Sequence, residues 1–271
     1  MTTLRITVLS LASLAATAPR AAAADLSHDQ RIELLLEAQH AFDRGIESRR
    51  SNPAAATDEF REAASKFQAL ADSGLENGRL YYNLANAELE AGRTGRAILN
   101  YRRAEKLLPG DGRIEANLRF AHSLRRNEIA PSGERALLRT LFFWHFTTSL
   151  RTRYDVAIAS FVLFWLLLIL RNARPARAWM YALIPCLLLA VSIGASVAIE
   201  CNDRTAHREG VILADEVVAR KGDSEGFEPS FQQKLYQGVE FIQLERRGDW
   251  LHIELPDGKT GWIRAEQAEL I

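Results

Sequence analysis

Two long apolar stretches, separated by only seven residues, constrain the fold of this chain more than any other feature of its sequence. Tyr154–Leu170 and Ala178–Ile199 contain no charged residue at their centres. Apolar segments of about 17–25 residues can cross a bilayer as α-helices, which satisfy their backbone polar groups internally. The sequence therefore predicts a hairpin of two transmembrane helices, and the missing central charges argue against an ion pathway.

The N-terminal residues 1–24 have the pattern of a secretory signal peptide. Arg5 precedes the apolar stretch Ile6–Ala18, and small residues lead up to Asp25. A helix over Ile6–Ala18 would rise about 20 Å, less than the roughly 30 Å of a hydrocarbon core. An uncleaved anchor is the alternative, because Pro19 and Arg20 are unusual so close to a cleavage site.

The exported N-terminus decides the predicted orientation. Residues 171–177 connect the spans and contain three arginines, which favours a cytoplasmic loop. Arg139, Arg151 and Arg153 precede the first span, so the charge rule does not decide alone. We expect a bacterial inner-membrane protein, embedded in the lipid bilayer, whose N- and C-terminal parts both lie in the periplasm.

Residues 127–153 are predicted to be a linker followed by an aromatic segment at the membrane interface. His145 is adjacent to Trp144 in this segment, and an interfacial histidine is a better interpretation than a metal or haem ligand. Cys186 is interpreted as a small packing residue, whereas the role of Cys201 stays open. If helical, the two cysteines lie too far apart for a disulfide within the chain.

Residues 25–126 show helical spacing. Leu26–Ile46 carries one predicted stripe, Ser51–Thr57 is predicted to be a loop around Pro53, and Phe60–Leu70 carries a second stripe. The first stripe consists of Ile32, Leu35, Leu36, Gln39 and Phe42.

The next segment resembles the tetratricopeptide repeat, a helix–turn–helix unit of about 34 residues. The matching residues are Tyr81, Leu84, Ala85, Gly92, Ala97, Tyr101, Ala104 and Pro109. One repeat earlier, Ala63 and Phe67 align with Ala97 and Tyr101, which predicts a degenerate first unit with a lengthened loop at Pro53. One repeat later, a lone helix with Ile114, Asn117, Leu118 and Ala121 is expected to cap the stack.

Tetratricopeptide repeats bind peptides on the inner face of their first helices. Transferred by position, the resemblance implies that Tyr82, Asn86, Arg113 and Asn117 form a protein-binding face. The alternative is that these four residues are ordinary solvated surface residues.

Residues 205–271 contain several short runs of alternating apolar residues separated by turns. The turns at Gly248-Asp249 and Asp257-Gly258, and the Gly261-Trp262 pair, resemble a bacterial SH3 domain, which implies a small all-β barrel. Trp250 and Trp262 are candidate surface residues of this domain, although packing at its core or rim is the preferred interpretation. His252 is expected to be exposed and not catalytic.

Catalytic chemistry is not expected. The sequence contains no nucleophile elbow, phosphate-binding glycine loop, paired carboxylate motif or Cys/His metal spacing. A formal net charge of zero gives no reason to expect nucleic-acid binding. We therefore predict a multidomain membrane protein, with a helical-repeat domain, two transmembrane helices and an SH3-like domain, that needs no cofactor or metal.

The order of these parts resembles BatE-type proteins of the Bacteroides aerotolerance (Bat) system. The resemblance implies an adaptor for envelope or oxidative stress tolerance, acting with membrane-anchored von Willebrand A-domain proteins and indirectly with a MoxR-type AAA+ ATPase. The alternative function is an envelope receptor that binds peptidoglycan through its SH3-like domain.

Overall fold

The computed structural model describes residues 26–127, 129, 137, 140–148, 150–173, 178–206 and 208–271. Five helices form an N-terminal helical domain: α1 (His28–Ser48), α2 (Pro53–Asp72), α3 (Gly78–Glu90), α4 (Thr94–Leu107) and α5 (Gly112–Ser123). They are followed by the short α6 (Phe143–Thr147) and the two long helices α7 (Leu150–Ala173) and α8 (Ala178–Ala206). The predicted signal peptide lies outside the described residues.

In the helical domain, each helix packs against the helix that follows it in sequence. Small buried residues let these helices approach closely, among them Ala38, Ala63 and Ala87. Larger side chains such as Phe67 and Leu84 fill the space between them. The predicted pair of helices around Gly92 is confirmed, since Gly92 has a φ of 78° in the turn between α3 and α4.

The predicted loop over Ser51–Thr57 is wrong. Helix α2 begins at Pro53, and the side chain of Asn52 caps it by accepting a hydrogen bond from the backbone N–H of Ala55, at 3.1 Å. Proline is favoured in a first helical turn because its missing N–H would have no partner there. The first unit therefore differs from the second through a longer helix, since α2 has 20 residues and α4 has 14.

The predicted stripe of α1 is confirmed only in part, since Leu35 and Phe42 pack against the core. Ile32 and Leu36 are 45% and 49% exposed, whereas Ala38, Ala41 and Gly45 are buried. Gly45 lies against the ring of Phe60, and a Cβ atom there would come within 2.7 Å of that ring. Helix α1 thus packs through small residues as well as through Leu35 and Phe42, and the small residues let it approach α2 closely.

Helices α7 and α8 pack against each other as the predicted hairpin. Thr152–Ala173 and Trp179–Ile199 are long and apolar enough to cross a membrane, with mean hydropathies of 2.1 and 2.4. Their outer surfaces expose large apolar side chains, such as Ile158, Phe161 and Leu188, that match a lipid environment. Helix α7 continues to Ala173, so residues 171–173 of the predicted cytoplasmic loop are helical and residues 174–177 lie outside the described residues.

The C-terminal sheet has five antiparallel strands in the order β4-β3-β2-β1-β5. The strands are β1 (Arg208–Ile212), β2 (Glu240–Arg247), β3 (Trp250–Glu254), β4 (Thr260–Arg264) and β5 (Ala268–Leu270). Its core contains Ile212, Phe241, Leu251, Ile253 and Ile263. The predicted run Val217–Arg220 forms only isolated bridges to Leu235, Pro229 and Trp262.

The helical domain and the C-terminal sheet share a hydrophobic core. Val211 of β1 is fully buried in a cluster with Ala97 and Ile98 of α4 and Leu118 of α5. The predicted cap, α5, therefore does not close the stack alone, because β1 packs against α4 as well. Since they share this core, the two domains must lie on the same side of any membrane that the hairpin crosses.

Candidate protein-binding face

The structure brings together all four residues that the sequence singled out in the helical domain. The side-chain amide of Asn117 on α5 donates hydrogen bonds to the Tyr82 hydroxyl, at 3.2 Å, and to Asn86 Oδ1, at 3.0 Å. The Arg113 guanidinium lies 5.8 Å from the centre of the Tyr82 ring. Tyr82, Asn86, Arg113 and Asn117 thus form one surface, here called the amide face. Whether it binds a protein stays a prediction.

A fifth residue of this network was not anticipated. The hydroxyl of Tyr101, on α4, donates a hydrogen bond of 2.6 Å to Asn86 Oδ1. The sequence indicated Tyr101 only as a packing aromatic, although a buried tyrosine hydroxyl normally requires a polar partner. Burial raises the pKa of Tyr101, so its hydroxyl keeps its proton and remains a donor. The aligned residue of the first unit is Phe67, which has no hydroxyl to offer.

These hydrogen bonds determine which atoms of the Asn86 side chain remain available to a ligand. Its side-chain oxygen accepts from both Tyr101 and Asn117, which orients the amide group. The amide nitrogen of Asn86 is then the part of this group that can donate a further hydrogen bond. An oriented amide donor of this kind suits a backbone carbonyl of an extended peptide.

The charge of Arg113 is locally compensated. Arg113 Nη2 lies 2.8 Å from Asp111 Oδ2, and Asp111 also accepts from the backbone N–H of Arg113 at the start of α5. These hydrogen bonds lower the pKa of Asp111 to about 2. Arg113 therefore adds a cation that already has its counter-ion, and its side chain remains 70% exposed.

A depression of about 280 Å³ lies beside the amide face. It is here called the Asp43 pocket, and it is lined by Gln39, Phe42, Asp43, Phe67, Asn83 and Asn86. Asn86 belongs both to this pocket and to the amide face, so the two surfaces are continuous. Asp43 and Asn83 were not identified from sequence, because their positions carry no recognisable pattern.

The two tryptophans of the C-terminal sheet are largely covered. Trp250 and Trp262 are 9% and 7% exposed. The guanidinium of Arg264 lies 4.8 Å from the Trp250 ring centre, and that of Arg247 lies 4.9 Å from the Trp262 ring centre. His252, which was expected to be exposed, is half-buried and stacks on Trp262 with ring centres 4.8 Å apart. Both tryptophans thus pack under neighbouring side chains on the outer face of β3 and β4.

A polar cluster lies at one end of the membrane hairpin. Arg153 is 4% exposed, and its Nη1 lies 2.9 Å from both His145 Nδ1 and Ser196 Oγ. His145, expected at the interface, thus contacts both helices of the hairpin. Cys186 is buried and donates to the carbonyl of Ser160, in agreement with a packing role. The side chain of Cys201 lies outside the described residues.

Among the described residues, no group of three or more His, Cys, Asp or Glu side chains is arranged to hold a metal ion. No protein-family model, curated protein or solved structure matches this chain. Its function must therefore be inferred from its own geometry.

Proposed function

We propose that this chain is a non-catalytic, membrane-anchored adaptor that binds an extended segment of a partner protein on the amide face. The main support for this proposal is the hydrogen-bonded network that joins Tyr82, Asn86 and Asn117. The buried Tyr101 stabilises this network by its hydrogen bond to Asn86. A preorganised set of amide and hydroxyl groups recognises a peptide backbone with little loss of side-chain entropy on binding.

The rest of the molecule supports a scaffold role. The C-terminal sheet is joined to the helical domain by the Val211 cluster and by ion pairs such as Arg102–Glu240 and Arg103–Glu269. The apolar hairpin would hold this unit at a bilayer surface. A rigid, tethered binding face raises the effective concentration of the face for partners in the same membrane.

Within this proposal, the helical domain acts as a tetratricopeptide-like module and the C-terminal sheet as an SH3-like module on the periplasmic side of a bacterial inner membrane. The expected partners are membrane-anchored von Willebrand A-domain proteins of a Bat-type complex, linked indirectly to a MoxR-type AAA+ ATPase. The order of the domains in the sequence supports this setting.

The proposal is tested by crosslinking in membranes, followed by affinity purification of the full-length protein. The double variant Asn86→Ala with Asn117→Ala removes the amide face, and Gln233→Ala removes an exposed amide of the other domain as a matched control. A-domain membrane proteins should be recovered with the wild type and the control, and lost with the double variant. Equal recovery with all three proteins would place partner binding elsewhere and overturn the proposal.

Peptidoglycan binding through the C-terminal sheet is the competing hypothesis. It is less favoured because Trp250 and Trp262 lie under arginine side chains. Co-sedimentation of the full-length protein with purified sacculi would separate the two functions. An adaptor should stay in the supernatant, whereas a wall receptor should pellet.

A further inference from the structure

The Asp43 pocket carries an uncompensated negative charge next to the amide face. In the part of the chain that the structure describes, no hydrogen bond or ion pair joins the Asp43 carboxylate to another side chain. The neighbouring Arg44 pairs instead with Glu59 and Glu62 on α2, and Arg49 pairs with Glu90. Arg113, on the other side of the amide face, is neutralised by Asp111. Among the described residues, Asp43 therefore contributes an unpaired carboxylate at the α1 end of this surface.

The remainder of the pocket lining is aromatic and amide-rich. The ring of Phe42 supplies most of the apolar surface, because Phe67 is only 2% exposed, and Gln39, Asn83 and Asn86 supply side-chain amides. A long aliphatic stem ending in a cation fits this combination, because the stem packs on the Phe42 ring while the cation meets the Asp43 carboxylate and the side-chain oxygens of Gln39 and Asn83. At about 280 Å³ the pocket lies near the lower limit of about 300 Å³ for small-molecule sites, which suits a single side chain.

We propose that the Asp43 pocket receives a lysine or arginine side chain of the partner's extended segment, and so makes the adaptor selective for basic sequences. This inference rests on the proposed function, since the same segment would lie across the amide face. Asn86 connects the two, because it belongs to both surfaces. The amide face would bind the backbone, whereas Asp43 would select the side chain.

The test is selection from a phage-displayed library of random twelve-residue peptides against full-length protein immobilised in detergent. Four proteins are compared: wild type, Asp43→Asn, Asp43→Lys and Asp58→Asn. Asp58 is an acidic residue of α2 whose side chain is 74% exposed and pairs with Arg61, so its variant is the matched control. Binding of individual synthetic peptides then gives dissociation constants for each protein.

The wild type and Asp58→Asn should select peptides enriched in lysine and arginine. Asp43→Asn should bind those peptides about two- to fivefold more weakly, the range of an exposed ion pair, because Asp43 is exposed. Asp43→Lys should instead select acidic peptides, a reversal that mere damage to the fold cannot produce.

Three results would overturn the inference, and they are distinguishable. If the selected peptides show no basic preference, or if the preference persists in Asp43→Asn, the charge selection is wrong and the proposed function survives. If none of the proteins selects peptides, the peptide-binding function fails, and the inference fails with it.

Discussion

Glu240 Oε1 lies 2.6 Å from Nε of Arg102, and this ion pair joins the C-terminal sheet to helix α4. Glu240 is the first residue of β2, and its other carboxylate oxygen lies 3.1 Å from His122 and 3.5 Å from Arg125. Three basic side chains of the helical domain thus converge on one carboxylate of the sheet. Burial by itself would raise the pKa of Glu240, but the hydrogen bond from His122 and the charge of Arg102 outweigh it and lower that pKa to about 2.

Replacing Glu240 with glutamine should destabilise the protein while keeping the shape of the side chain. The neutral amide leaves Arg102, His122 and Arg125 around a site that no longer carries a negative charge. Breaking a fully buried pair costs about 3–5 kcal/mol, and we expect roughly 2 kcal/mol here because Glu240 keeps some solvent exposure. The melting temperature in detergent should fall by about 4–8 °C.

Glu245→Gln is the matched control for that substitution. Glu245 lies on the same strand, is exposed, and pairs with Arg247 two residues away. Its melting temperature should stay within about 2 °C of the wild type, because exposed pairs contribute little. Equal losses for the two variants would show that Glu240 contributes nothing beyond an ordinary surface charge.

The Glu240 ion pair should also make stability depend on pH in the acid range. The folded pKa of about 2 lies below the ordinary value of 4.5, so the unfolded chain binds the proton more readily. The stabilisation from Glu240 is therefore fully present above about pH 5 and is lost as the pH falls from there towards 2. The difference in melting temperature between wild type and Glu240→Gln should shrink between pH 6 and pH 3, and a constant difference would contradict this assignment.

Val211→Ala should loosen the helical domain although the substitution lies in the sheet. Val211 packs among Ile98 and Leu118, so its truncation leaves a cavity beside α4 and α5, at a cost of about 2 kcal/mol. Hydrogen exchange followed by mass spectrometry should report faster exchange in α4 and α5. Val217→Ala is the control, because Val217 is buried in the core of the sheet alone. Faster exchange confined to β1 in Val211→Ala would contradict the shared core.

The predictable parts of this fold are those with local sequence signals. Hydropathy located both long helices of the hairpin, and the spacing of Leu84, Ala85 and Gly92 located α3 and the turn that follows it. The loop predicted at Pro53 is wrong because proline occurs both in loops and in first helical turns, and here the side chain of Asn52 caps a helix that begins at Pro53. The four residues of the amide face were identified by position, and the structure shows that their side chains meet.

The interface between the two domains could not be predicted from sequence. Glu240 stands in an alternating strand pattern, where a charged residue normally faces solvent. Its burial depends on Arg102 and His122, which lie more than a hundred positions earlier in the chain. Likewise, Tyr101 matched a packing position in the repeat, and only the placement of Asn86 shows the role of its hydroxyl.

Gly95→Ala should weaken the same interface through steric overlap. A Cβ atom at Gly95 would come within 2.8 Å of the Ile212 carbonyl oxygen and 3.1 Å of the Gly238 nitrogen. Both are backbone atoms of the C-terminal domain, so the domains would have to move apart, at a cost of about 1–3 kcal/mol. Gly112→Ala is the control, since a Cβ there meets nothing within 4 Å. The control should melt at or slightly above the wild-type temperature. If Gly95→Ala also left the melting temperature unchanged, the close approach of α4 to the C-terminal domain would be contradicted.

The shared core also makes a prediction about membrane topology. The two native cysteines are first removed by Cys186→Ser and Cys201→Ser. Single cysteines are then introduced at three exposed positions: Arg61→Cys in α2, Gln233→Cys in the C-terminal domain and Asn172→Cys near the end of α7. A membrane-impermeant maleimide applied to intact spheroplasts should label the first two sites and spare the third until the cells are lysed. Protection of the first two sites with labelling of the third would reverse the proposed orientation and leave the fold intact. Labelling at only one of the first two would contradict the packing of β1 on α4, because domains that share a core cannot lie on opposite sides of a bilayer.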